Sequence, residues 1–125
     1  MRNIILTNKA PKAVGPYSQA IDTGNTLYVS GQIPVNPQTG QMVEKDIILQ
    51  TRQVMENIRN IIFDAGYSME NVVKCTCLLT DLNSFKSFNE VYEEYFKNDP
   101  PARATFQVAA LPLGAMIEVD AIAVK

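Results

Sequence analysis

Between Asp46 and Ala65 apolar residues return every three or four positions, at Val54, Met55, Ile58, Ile61, Ile62 and Ala65. That spacing predicts an amphipathic helix. Asp46 is a fitting N-cap and Gly66 a fitting stop. The polar positions Arg52, Gln53, Glu56, Arg59 and Asn60 fall largely elsewhere on the wheel, so the helix is suited to cover a sheet. From Val72 to Thr80 the period changes to two. Val73, Cys75, Cys77 and Leu79 share one side of a predicted strand, and Lys74, Thr76, Leu78 and Thr80 the other. Ser84 to Lys97 returns to helical spacing, with Phe85, Phe88, Val91, Tyr92, Tyr95 and Phe96 as its stripe. Pro100 and Pro101 cannot continue it. Asn3–Thr7, Ser18–Thr23 and Thr26–Ser30 read as short strands, the last two joined by a Gly24-Asn25 turn. Ala10–Tyr17 and Gly31–Gly40 read as loops, punctuated by glycine and proline. Ala102–Ala110 and Ala115–Val124 read as strands separated only by Leu111–Gly114, a connection short enough to predict an antiparallel hairpin.

The order is strands, helix, strand, helix, two strands. It predicts an α+β sandwich in which two helices cover one face of a mixed, mainly antiparallel sheet. Residues 1–125 form a single domain in this reading. The second sheet face is left without cover. In the last strand Glu118 and Asp120 share one side and Ile117, Val119, Ala121 and Ala123 the other. A partly apolar open face of this kind is best buried by self-association.

Composition narrows the chemistry. Apolar residues make up 46% of the chain, enough for a globular core. Eleven basic against 13 acidic residues leave a net charge of -2, which weighs against nucleic acid as a partner. There is no histidine. Ser-His-Asp and Cys-His catalysis and every histidine-bearing zinc site are thereby excluded within the chain. Cys75 and Cys77 are too few for a disulfide framework or a four-sulfur metal site, and their place on a strand makes them packing residues in a reducing compartment. No metal and no cofactor is expected. No stretch reads as a membrane span, and the first residues lack the apolar core of a signal peptide. They are free of acid until Asp22, as in a transit peptide, yet poor in Arg and Ser. A cytoplasmic location is the expectation.

Four stretches invite chemistry. Ala13-Val14-Gly15-Pro16-Tyr17-Ser18-Gln19-Ala20 is either a turn with a packed tyrosine or a loop that fixes the Tyr17 hydroxyl. Ser30-Gly31, leaving a strand, is either a plain exit or a place where a ligand approaches backbone amides. Arg103 is the only charge between Asp99 and Glu118. A lone cation at the head of an apolar strand needs a partner, either a protein carboxylate or that of a ligand. Glu118 is either a solvated strand carboxylate or a proton-transfer group. In the predicted hairpin it sits opposite Gln107, which leaves Arg103 about 14 Å along the strand and a direct pair within one chain unfavourable. The aromatic stripe of the second helix reads as core, because Glu90, Glu93 and Glu94 beside it do not suit a base-stacking surface.

Together these stretches resemble the RidA/YjgF/YER057c/UK114 family. The resemblance is carried by residues 13–20, by Val29-Ser30-Gly31-Gln32-Ile33-Pro34, by Pro101-Ala102-Arg103 and by Ile117-Glu118-Val119-Asp120-Ala121-Ile122-Ala123-Val124. It implies a chorismate-mutase-like fold, a homotrimer with clefts between subunits, and hydrolysis of 2-iminobutanoate or 2-iminopropanoate to 2-oxo acids and ammonia. It implies that Arg103 holds the substrate carboxylate, that Glu118 orients or activates water, and that Tyr17 supplies a site hydroxyl. Ser30 and Gly31 would form the cleft wall, Asn89 would line it, and groups from Thr105 to Gln107 would orient the imine nitrogen. Thr105 stands where many members have cysteine, so no role for a thiol is implied. Two alternatives stay open: a trimer that binds small carboxylates without turning them over, and a ribonuclease.

Overall fold

The computed structural model describes all residues from 1 to 125. Six strands form one sheet: β1 (Asn3–Ile5), β2 (Ala20–Asp22), β3 (Thr26–Gln32), β4 (Val72–Leu79), β5 (Ala102–Gln107) and β6 (Ile117–Val124). Two helices, α1 (Ile47–Asp64) and α2 (Phe85–Tyr92), complete the α+β layering. The sheet order is β1-β2-β3-β6-β4-β5, antiparallel throughout except for the parallel β4–β5 pair.

α1 begins where its cap requires. The Asp46 carboxylate accepts from the Ile48 and Leu49 N–H groups at 2.9 and 3.0 Å, satisfying donors that have no partner within the helix. Gly66, at φ +85°, takes the left-handed position that ends it. Val54, Met55, Ile58, Ile61 and Ile62 are fully buried against Leu27, Cys75, Cys77, Leu79, Ile117 and Val119. Burial of each large aliphatic side chain contributes about 1.5–3 kcal/mol. Three polar residues of α1 are also buried. Two of them bind loops: the Gln50 carboxamide accepts from Met116 N–H at 2.9 Å, and Asn57 donates to the Val35 carbonyl at 3.0 Å.

Four expectations need correction. β5 and β6 are not a hairpin. The strands end earlier and begin later than their apolar runs suggest, so residues 108–116 connect them, and this length lets the chain step over β4. Leu78 lies between Phe106 and Glu118, and Leu79 between Gln107 and Ile117, so Glu118 does not face Gln107. β3 runs on through Gly31 and Gln32, with a bulge between Val29 and Gln32. The second helix stops at Tyr92 and tightens into a 3-10 turn over Glu93–Tyr95.

The other face of the sheet carries no helix. Its exposed or half-buried apolar residues include Tyr28, Leu78, Phe106, Ile122 and Val124, with Tyr28 and Phe106 half exposed, at 50% and 54%.

Candidate functional site

The candidate residues gather in two clusters. The first lies under α2 at the sheet's edge. Arg103 is in register with buried Cys75, so its side chain enters the layer between sheet and helix. There the guanidinium lies over three rings of α2, with its carbon 5.4 Å from the centroids of Phe85 and Phe88 and 4.9 Å from that of Tyr92. One of its N–H groups donates to Asn89 Oδ1 at 2.8 Å. The chain's three ion pairs are Lys9–Asp64, Arg52–Glu94 and Arg59–Glu56, and Arg103 belongs to none of them. A guanidinium presents five donors. Here it is oriented by aromatic faces and one neutral amide, with its charge unmatched by any carboxylate. The aromatic stripe is therefore more than core: it is the platform for this cation.

On the sheet side the neighbours of Arg103 are neutral. Burial pushes the Cys75 thiol up to about 11 and that of Cys77 up to about 12, so both stay neutral and unreactive. The same cause raises the Tyr92 hydroxyl. The Thr105 hydroxyl, one pleat along from Arg103, is buried without a hydrogen-bond partner. Beside Arg103 a cavity of about 450 Å³ opens between Asn89, Tyr92, Glu93, Phe96, Lys97 and Pro101; Glu93 lines it without forming an ion pair with Arg103. Gln107 does not join this cluster: its side chain accepts from Leu82 N–H at 2.9 Å and ties the strand end to the turn before α2.

The second cluster lies on the uncovered face. Glu118 alternates with buried Ile117 and Val119, so its carboxylate is on the side away from the helices. It rests on Gly31: a Cβ there would come within 2.4 Å of Glu118 Oε2 and 2.8 Å of its Cδ. Burial, and then the negative charge of Asp120, raise the Glu118 carboxyl above its ordinary value. Asp120 accepts from Thr76 N–H at 3.0 Å. Next to Gly31, Ser30 donates its hydroxyl to the Ser18 carbonyl at 2.5 Å and its N–H to the Gln19 carbonyl at 2.9 Å. Tyr17 precedes these contacts on an exposed loop, where its hydroxyl accepts from Val14 N–H at 3.3 Å.

Within one chain the clusters do not meet. Arg103 and Glu118 are on opposite faces, two strands apart, or roughly 10 Å across the sheet. Tyr17 leads into β2, four strands from β5 and so roughly 19 Å away. The sequence reading missed the cation's aromatic seat, although helical spacing of Phe85, Phe88 and Tyr92 beside a lone arginine was the available signal.

A family model described as Endoribonuclease L-PSP matches residues 7–125. The chain belongs to this family, the RidA/YjgF proteins. The family relatives include a RutC family protein of Sulfurisphaera tokodaii, 54% identical over 97% of each chain. The human 2-iminobutanoate/2-iminopropanoate deaminase is 47% identical, over 100% of this chain and 91% of its own. Among solved structures, RidA from the Antarctic bacterium Psychrobacter sp. superposes with a TM-score of 0.96 at 45% identity, covering 99% of this chain and all of that one. Escherichia coli TdcF with bound serine gives 0.95 at 44% identity, covering 98% of each. The α+β fold is that of the family. No helix is long and apolar enough to cross a membrane.

Proposed function

We propose that the chain is a hydrolase of 2-imino acids, converting 2-iminobutanoate or 2-iminopropanoate to the 2-oxo acid and ammonia. The observation that carries this reading is the Arg103 guanidinium, held on aromatic faces and by Asn89 with no protein carboxylate to neutralise it. A small organic acid supplies that missing charge through paired, charge-assisted hydrogen bonds. The human, mouse and goat deaminases, each within a point or so of 47% identity, support the choice of reaction.

The proposed active unit is a homotrimer. The apolar open face invites burial by another copy, and Arg103 cannot cooperate with Glu118 or Tyr17 inside a single chain. A cleft between chains joins the Arg103, Asn89 and Thr105 cluster of one subunit to the Tyr17, Ser30, Gly31 and Glu118 cluster of the next. Arg103 fixes the carboxylate, and the imine carbon then lies beside a water that Glu118 orients. Glu118 accepts a proton from the water as its oxygen bonds to the imine carbon. That proton goes to nitrogen, giving a carbinolamine. Glu118 then takes the proton of the new hydroxyl and passes it to the same nitrogen as the carbonyl forms and the C–N bond breaks, so ammonia leaves with the 2-oxo acid. A carboxyl raised above its usual range suits both halves of that transfer. The imine is reactive by itself, so orientation and one placed water suffice.

The test is an assay in which a PLP-dependent dehydratase supplies the imine. Wild type should accelerate release of the 2-oxo acid, and Arg103→Ala should abolish the acceleration while keeping the folded assembly. Near wild-type turnover by Arg103→Ala overturns the assignment. A second reading is a carboxylate-binding protein without turnover, favoured by a relative whose structure holds serine. It predicts 2-oxo acid binding that needs Arg103, with no effect of Glu118→Gln on any rate.

A further inference from the structure

Gln19 is buried to within 2% of complete, yet it is neither a core hydrophobe nor a group that faces the proposed cleft. Its carboxamide is almost fully used. Oε1 accepts from Thr7 N–H at 2.7 Å, while Nε2 donates to the Thr7 carbonyl at 3.0 Å and the Pro11 carbonyl at 2.8 Å, with the Ala10 carbonyl a longer 3.4 Å away. The two bonds to Thr7 reproduce, with a side chain, the pairing a neighbouring strand would offer to both backbone groups of one residue. β1 ends at Ile5 and β2 starts at Ala20, so no ladder holds the chain between them. That segment carries Tyr17; besides the Gln19 bonds it is held at Thr7–Ala10, where Ala10 is buried in the core and Lys9 pairs with Asp64, and residues 11–18 have fewer anchors. Thr7 donates its hydroxyl to Asp64, and Asn60 donates to the Lys9 carbonyl at 2.9 Å.

The backbone of the same residue points the other way. The Gln19 carbonyl receives the Ser30 N–H at 2.9 Å, and the Ser18 carbonyl receives the Ser30 hydroxyl. Ser30 is bonded to Gly31, on which the Glu118 carboxylate rests. One residue therefore joins the Tyr17 loop to the Ser30-Gly31 seat of Glu118, side chain to the first and main chain to the second. It has no bond to Arg103, which lies four strands away across the sheet.

We infer that Gln19 is a positioning residue for this half of the cleft, setting the register between the Tyr17 loop and the Glu118 seat without touching substrate. The inference deepens the proposed hydrolase reading and rests on it for its kinetic part. A side chain of equal length without amide hydrogens, Gln19→Met, keeps the volume and removes the clamp. Its effect falls on the chemical step and spares carboxylate capture, because Arg103 and Asn89 belong to the other cluster.

The experiment compares wild type, Gln19→Met and Gln19→Glu. The glutamate retains an acceptor for Thr7 N–H and, when ionised, loses both donated bonds, so it serves as the second variant if Gln19→Met does not fold. Three quantities are read: kcat for imine hydrolysis, the dissociation constant of 2-oxobutanoate, and amide hydrogen exchange of residues 8–18. We expect kcat to fall at least tenfold, the dissociation constant to stay within threefold, and amides 8–18 to exchange at least tenfold faster with strand β5 unchanged. A kcat within twofold of wild type overturns the inference, as does a parallel loss of kcat and 2-oxobutanoate binding, which marks general destabilisation. A wild type that does not hydrolyse imines defeats the hydrolase reading instead. The clamp then stands or falls on exchange alone, and unchanged protection of residues 8–18 in the variants overturns it.

Discussion

The Glu118 carboxylate occupies the space a side chain at position 31 would need: a Cβ built on Gly31 meets Glu118 Oε2 at 2.4 Å. Gly31 is not in the left-handed region, so its lack of a side chain serves this close approach rather than a special backbone angle. Gly31→Ala forces Glu118 to move while leaving backbone geometry permissible. Turnover in the dehydratase-coupled assay should fall by about tenfold or more, since displacement by a fraction of an ångström to an ångström disturbs a positioned water. Affinity for 2-oxobutanoate should change little. Undiminished turnover would separate Glu118 from the chemistry.

Glu118 also carries a prediction about pH. Its carboxyl is raised first by burial and secondly by Asp120. Acting on water, it must be ionised, so kcat should climb with pH through a value above the ordinary carboxylate range. Asp120→Asn removes a like charge and makes ionisation easier. The acidic limb should therefore move to lower pH, while remaining above the usual range because burial persists. The asparagine oxygen still accepts from Thr76 N–H, so folding should survive. A limb that moves upward, or not at all, contradicts the electrostatic coupling.

Asn89 offers a direct way to change what Arg103 sees. Its oxygen is 2.8 Å from a guanidinium nitrogen. Asn89→Asp places a carboxylate at that spot and neutralises the cation from within. KM should rise by about tenfold or more, corresponding to about 1.4 kcal/mol of lost binding, and Asn89→Ala should be milder. Steady-state kinetics of the two variants check the order. A milder effect for the aspartate would mean that the charge of Arg103 is not what captures substrate.

The uncovered face predicts assembly. Tyr28 and Ile122 are directly opposed in the β3–β6 ladder, at the middle of the apolar side that no helix covers. Ile122→Arg places a charge there. Light scattering should show wild type as a trimer and the variant as a smaller species, with imine hydrolysis lost together with the assembly, because Arg103 and Glu118 of one chain are on opposite faces. A monomeric variant with full activity would contradict a cleft built from two chains.

Much of this was legible in the sequence, for reasons that differ by element. α1 was plain because its stripe is long and both ends carry their own signals, Asp46 and Gly66. β4 was plain because Cys75, Cys77 and Leu79 alternate cleanly with half-buried neighbours. The error at β5–β6 came from equating nearness in sequence with nearness in the sheet. β6 has four fully buried residues on one side, and the sheet places it at the centre between β3 and β4. β5 carries a charged residue into the helix layer, and the edge position leaves that charge beside an open cavity. Arg103, Glu118 and Gly31 stood out by type and position. The role of Gln19 did not, because a buried amide that bonds backbone groups far along the chain leaves no periodic signal.

In the proposed function the Arg103 guanidinium is reserved for the carboxylate of a small organic acid. A crystal structure with 2-oxobutanoate bound tests it most directly. The carboxylate should lie in paired hydrogen bonds with Arg103, the 2-oxo carbon towards Glu118 of a neighbouring subunit. A carboxylate bound elsewhere, with Arg103 tied instead to an acidic side chain of a second subunit, would contradict it.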